Sequence, residues 1–178
     1  MKIDDLRGRL PETAKDLRLN LSSVLKSEHL SPLQLYGTLV SCALAARNGD
    51  LLVAAEGEAA AHLSAEEIAR AKAVGTTMVQ NNVYYRFAHL ADSEQFLQMP
   101  ARLRMQALQG PESEIDRELW AIAVSAVTGC GLCITSHEKK LLAAGATREQ
   151  IQDAVRVAAV VTATAAALDA EAAVASEA

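Results

Sequence analysis

Three side chains in the stretch TGCGLCITSHEKKLLAAG, residues 128–145, have the types and spacing to do chemistry together. Cys130 and Cys133 form a C-x-x-C pair, and His137 follows four positions after the second cysteine. On a helix each residue advances by about 100°, so the two cysteines sit about 60° apart and Cys133 and His137 about 40° apart. All three share one face, at spacings that let side chains meet. A thiol pair at a helix start can close a disulfide with little backbone movement. Free N–H groups and the macrodipole there also favour thiolate, the form that attacks peroxides and disulfides. His137 is the nearest candidate to accept a proton from Cys133.

A second relay candidate is Glu118, at the start of the preceding predicted helix. If that helix folds back, its carboxylate can orient the imidazole and hold its charge. The plainer reading of Glu118 is a first-turn acid that complements the helix dipole. Zinc is the chemical rival for the cysteine stretch, which offers two thiolates and one imidazole but no fourth ligand. There is no second C-x-x-C, and His29, His62 and His89 are not spaced as a set. A C-x-x-C also occurs as two inert core cysteines, so spacing alone favours redox chemistry but leaves all three readings open. Cys42, in an alanine-rich segment, reads as a small core residue.

These groups need a scaffold, and the composition says which kind. Of 178 residues, 51% are apolar but only 3% are aromatic, a balance that favours closely packed helices over sheets. The net charge of -5, with no lysine or arginine run, argues against a nucleic-acid partner. The charged N-terminus has no signal-peptide core, and its leucines Leu6, Leu10, Leu17 and Leu21 point to an amphipathic helix. The alanine-rich end, from Val155, begins like a membrane span. It is broken by Thr162, Thr164, Asp169 and Glu171, and reads better as a buried helix with a frayed tail. A soluble, cytoplasmic protein is expected, where a reduced thiol pool makes a close cysteine pair more apt to work than to staple.

Helix punctuation recurs along the chain. Ser31-Pro32 reads as a helix start, and Asn48-Gly49 as that helix's end. Ser64 with Glu67 and Thr147 with Gln150 have capping-box spacing. A long helix should follow Ser64 through Ile68, Val74, Met78 and Val83. Thr128-Gly129 interrupts the apolar run from Glu118 to Val127, and Gly145 stops the helix that starts near Cys130. The fold class is all-α, in a single domain over 1–178. An internal echo matches Leu35 with Leu119, Tyr36 with Trp120, and Val40-Ser41 with Val124-Ser125. It predicts a duplicated helical unit, roughly 12–90 and 112–172, with the chemistry only in the second copy. A small alanine-rich helical unit gains core by association, so a homo-oligomer is expected.

Glu118-Leu119-Trp120 followed by Cys130-x-x-Cys133-x-x-x-His137 resembles the AhpD family of alkyl hydroperoxidases, within the wider carboxymuconolactone decarboxylase-like group. LPETAKDLRLNLSS (10–23) and NNVYYR (81–86) extend the resemblance over nearly the whole chain. It implies an all-helical, commonly trimeric enzyme with no bound cofactor or metal. Such an enzyme reduces hydroperoxides and passes electrons to the peroxiredoxin AhpC. Its own reductant is dihydrolipoamide on a lipoyl-bearing acyltransferase, recharged by dihydrolipoamide dehydrogenase and NADH. The resemblance makes Cys133 the peroxidatic thiol, which passes through a sulfenic acid, and Cys130 its proton donor and resolving partner. Glu118 and His137 become the proton relay. One position departs: the family form has histidine directly before the second cysteine, where this chain has Leu132. Two other functions compete. One is decarboxylase chemistry of the wider group, which needs no thiol pair; the other is a zinc-clipped binding module.

Overall fold

The computed structural model describes residues 1–176 and, among them, is all-α. The expected unit 1–178 extends two positions further, and residues 177–178 lie outside the described residues. The helices are α1 (Ile3–Arg7), α2 (Lys15–Val24), α3 (Pro32–Ala46), α4 (Gly49–Ala59) and α5 (Ala65–Leu90). After the short α6 (Gln95–Gln98) come α7 (Glu114–Thr128), α8 (Gly131–Ala143) and α9 (Arg148–Ala175). Full capping boxes start α3 at Ser31 with Gln34, α5 at Ser64 with Glu67, and α9 at Thr147 with Gln150. Each closes two backbone donors that the helix itself cannot satisfy.

The core is organised around α3 and α7. α3 packs against α5, α7 and α9, and α7 packs against α5, α8 and α9. A helix with neighbours all round must be apolar or small all round, and every residue of α3 from Leu35 to Ala43 is buried. Small residues set the spacing. Gly37 lies against the Trp120 indole so closely that a Cβ there would collide with the ring. Gly75 of α5 approaches the Ser41 backbone, and Ser41 Oγ donates to the Ala71 carbonyl at 2.9 Å. Cys42 is fully buried, and burial pushes its thiol pKa far up, as suits an inert core residue.

α9 is long and apolar enough, by length and composition, to cross a membrane. In this fold it lies along the bundle, burying a stripe that includes Ala154, Val157, Val161, Ala165 and Leu168 against α2, α3 and α7. Residues 169–175 of α9 are exposed but still helical, so the expected frayed tail is instead a solvent-facing end of α9.

Two local expectations are corrected. The N-terminal leucines do not lie on one helix. Pro11, which lacks an N–H and fixes φ, separates α1 from α2. Leu6, Leu10 and Leu21 are nevertheless all buried. Nor does Asn48-Gly49 end α3. Arg47 takes the left-handed turn, with φ of 64°. Asn48 instead starts α4, its side chain accepting from the Leu51 N–H at 2.8 Å. Asparagine suits both roles, and the next helix claimed it.

Candidate active site

α7 and α8 are joined by a two-residue corner. Gly129 takes φ of 70°, a left-handed value that glycine adopts without strain. Its N–H donates to the Ala126 carbonyl at 3.2 Å, and the Cys130 N–H to the Ser125 carbonyl at 3.1 Å. This is a Schellman closure of α7. Cys130 then serves as N-cap of α8, its Sγ accepting from the Cys133 N–H at 3.3 Å. The two sulfurs are joined as a disulfide, Cys130–Cys133.

α5 grips this corner from the side. Asn82 Nδ2 donates to Thr128 Oγ1 at 2.8 Å, and Ser125 Oγ donates to Asn82 Oδ1 at 3.2 Å. Arg86 Nη1 donates to the Thr128 carbonyl at 2.5 Å. The last turn of α7, which sets the position of Cys130, is therefore anchored to α5 from the NNVYYR segment.

The corner folds α8 back on α7 and brings Glu118 to His137. The His137 Nδ1 to Glu118 Oε2 distance is 2.6 Å, with both side chains buried. Glu118 lies in the second turn of α7. The first-turn acids are Glu114 and Asp116, so the dipole reading of Glu118 does not hold. Burial alone would raise the Glu118 carboxyl pKa. The hydrogen bond and charge of His137, with Lys140, outweigh it and hold the group below the usual carboxylate range. An ionised carboxylate only accepts, so the Nδ1 proton belongs to His137 and Nε2 is left as the free ring nitrogen. It lies on the α8 face that also carries Cys133.

Lys140 Nζ donates to the other carboxylate oxygen, Glu118 Oε1, at 3.3 Å. The sequence reading missed this lysine, although its place three residues after His137 puts it on the same face.

Cys133 and His137 open into a cleft of about 370 Å³. Its apolar wall comes from Met78, Tyr85, Met105, Leu108 and Leu132, and its polar groups include Asn81, Asn82, Ser136 and Lys140. Leu132 thus packs into the wall where the family histidine would stand. Cys133 lines the cleft and is 6% exposed, whereas Cys130 is fully buried and does not. All four predicted residues, Cys130, Cys133, His137 and Glu118, gather along the N-terminal half of α8. Asn81 and Asn82 were missed too. The available signal was two asparagines in a helix interior, where their propensity is poor.

Known proteins resemble this chain over its length. The sequence profile of the carboxymuconolactone decarboxylase family matches residues 94–176, which carry the whole cysteine segment. A protein of Rhodospirillum centenum named alkyl hydroperoxide reductase AhpD is 52% identical over 174 residues, covering 97% of this chain and 94% of its own. Proteins of the same name from a Bradyrhizobium species and from Methylocella silvestris are 49% and 50% identical. Both alignments cover 96% of the relative, and 97% and 96% of this chain respectively.

Proposed function

The chain belongs to the AhpD family of alkyl hydroperoxide reductases, and from that premise we propose that it reduces alkyl hydroperoxides through Cys133 and Cys130. The observation that carries the mechanism is the buried His137–Glu118 pair beside a cysteine pair of unequal access.

In the reduced enzyme His137 Nε2 takes the Cys133 proton, and Glu118, which receives the Nδ1–H bond, stabilises the imidazolium. The Cys133 thiolate attacks the terminal oxygen of the hydroperoxide. The S–O bond forms as the O–O bond breaks, sulfur is oxidised to sulfenic acid, and the alkoxide leaves as alcohol after taking a proton. Cys130 then attacks the sulfenic sulfur; the S–S bond forms and water departs.

Reduction runs through the same asymmetry. An incoming thiolate can reach Cys133 from the cleft but not Cys130. Attack at Cys133 expels Cys130 as thiolate, which the Cys133 N–H and the α8 N-terminus stabilise. A stabilised leaving thiolate speeds exchange. The N-cap sulfur is thus the leaving and resolving group, and the sulfur beside the histidine is the one that meets substrate.

The proposed reductant is dihydrolipoamide, presented by a lipoyl-bearing acyltransferase and recharged by dihydrolipoamide dehydrogenase. The proposed electron acceptors are hydroperoxides directly and the peroxiredoxin AhpC. We place the protein in the cytoplasm, as a homotrimer of a duplicated helical unit. The matching order of two medium helices and one long helix in α3–α4–α5 and α7–α8–α9 supports the duplication. The test is NADH oxidation coupled through the dehydrogenase, lipoamide, this protein and AhpC, omitting one component at a time. Turnover that survives omission of lipoamide rejects the donor. Turnover of a lactone by protein with alkylated cysteines would favour decarboxylation instead.

A further inference from the structure

Asn81 and Asn82 are neighbours on α5, both nearly or fully buried, and their amides are used differently. Asn82 bonds to Thr128 and Ser125 and holds the α7 corner. Asn81 is 5% exposed, lines the cleft with Cys133 and His137, and its Oδ1 has no hydrogen-bond partner among the described residues. A buried, unpaired carbonyl oxygen is destabilising, and an apolar side chain of similar volume would avoid the penalty. Polar groups left free in an otherwise apolar-walled pocket are where a ligand is recognised.

We propose that the Asn81 carboxamide binds the hydroperoxide group and positions it for attack by Cys133, an inference that rests on the peroxidase reading above. A hydroperoxide carries a donor and an acceptor on adjacent atoms, the terminal O–H and the oxygen bonded to carbon. A carboxamide carries the complementary pair, a carbonyl acceptor and an N–H donor. Asn81 Oδ1 accepts from the terminal O–H, and Nδ2 donates to the inner oxygen. The second contact strengthens as the O–O bond breaks and negative charge collects on the departing alkoxide.

The reductant fits this position less well. Its carboxamide is separated from its sulfurs by a methylene chain, so with one sulfur at Cys133 the amide lies further out along the cleft. Asn81 lines the cleft with Cys133 and is as fully covered, at 5% against 6% exposure. The apolar wall of Tyr85, Met105 and Leu108 then faces the alkyl group, which favours organic hydroperoxides over hydrogen peroxide.

The two half-reactions separate this role from the others. Reduced native protein and Asn81→Leu are mixed with tert-butyl hydroperoxide, and the oxidised forms with dihydrolipoamide. The expected result is a tenfold or greater fall in the peroxide rate constant of the variant, with disulfide reduction unchanged within twofold. Its Tm should equal or exceed that of native protein, because the unpaired oxygen is gone. Asn81→Ser, which keeps a small donor and acceptor, should fall between the two and guards against a folding failure of the leucine variant. An unchanged peroxide rate in both variants overturns the assignment of Asn81. A defect confined to the dihydrolipoamide step overturns it in favour of a reductant site. If the native protein itself does not consume the hydroperoxide, the peroxidase reading fails, and this inference with it.

Discussion

Replacing Glu118 tests how much of the chemistry depends on the buried carboxylate. Its bond to His137 Nδ1 is 2.6 Å long and shielded from water, since only 7% of the glutamate side chain is exposed. A charge-assisted bond of this kind contributes about 1.5–3 kcal/mol, and a neutral one about 1 kcal/mol. With 1.36 kcal/mol per tenfold in rate, Glu118→Ala should slow the peroxide half-reaction roughly 10- to 150-fold. Glu118→Gln keeps an acceptor for Nδ1 and forfeits about 0.5–2 kcal/mol, or roughly two- to thirtyfold. Lys140 is half exposed and can return to water, so its lost contact adds little.

The assay is stopped-flow mixing of reduced protein with an alkyl hydroperoxide, read by Trp120 fluorescence or by residual thiol. Rates within twofold of native for both variants would refute the relay. The same substitution has a pH signature. The native carboxyl titrates below its unfolded value, so its stabilisation is complete above about pH 4.3 and is lost as pH falls through the folded value. The stability gap between native protein and Glu118→Gln should therefore close as pH falls below about 4. A gap that stays constant through that range contradicts the assigned ionisation.

Two further outcomes are expected. Leu132→His places an imidazole on the cleft wall beside Cys133 and should raise the peroxide rate, adding a titration near pH 6–7 to the pH profile. An unchanged rate and profile would show that this position takes no part in proton transfer. Cys42→Ala removes one buried sulfur and should cost on the order of 1 kcal/mol, a Tm loss of about 2–4 °C. Turnover of the folded variant should stay within twofold, and a larger loss would give Cys42 a part in the chemistry.

What could be read from the sequence was local. The capping boxes at Ser64 and Thr147 and the helix start at Ser31-Pro32 are chemistry within a few residues, and each forms where expected. The shared face of Cys130, Cys133 and His137 follows from helical spacing within a single element. The contact of Glu118 with His137 is different in kind. It crosses 19 residues and depends on the left-handed turn at Gly129, so the sequence could nominate the pair but not join it. The grip of Asn82 and Arg86 on Thr128 spans more than forty residues and left no periodic trace. Asn48 was misjudged because one residue type serves both helix ends, and packing decided between them. The N-terminal leucines kept their period across Pro11, which hid the break in the helix.

The central claim is that Cys133, and not Cys130, meets the peroxide. The direct measurement is mass spectrometry of reduced Cys130→Ser and Cys133→Ser after one equivalent of alkyl hydroperoxide, with a sulfenic-acid trap present. A trapped adduct is expected on Cys133 in Cys130→Ser and none in Cys133→Ser. An adduct on Cys130 in Cys133→Ser, with Cys133 unmodified in the other variant, would contradict it.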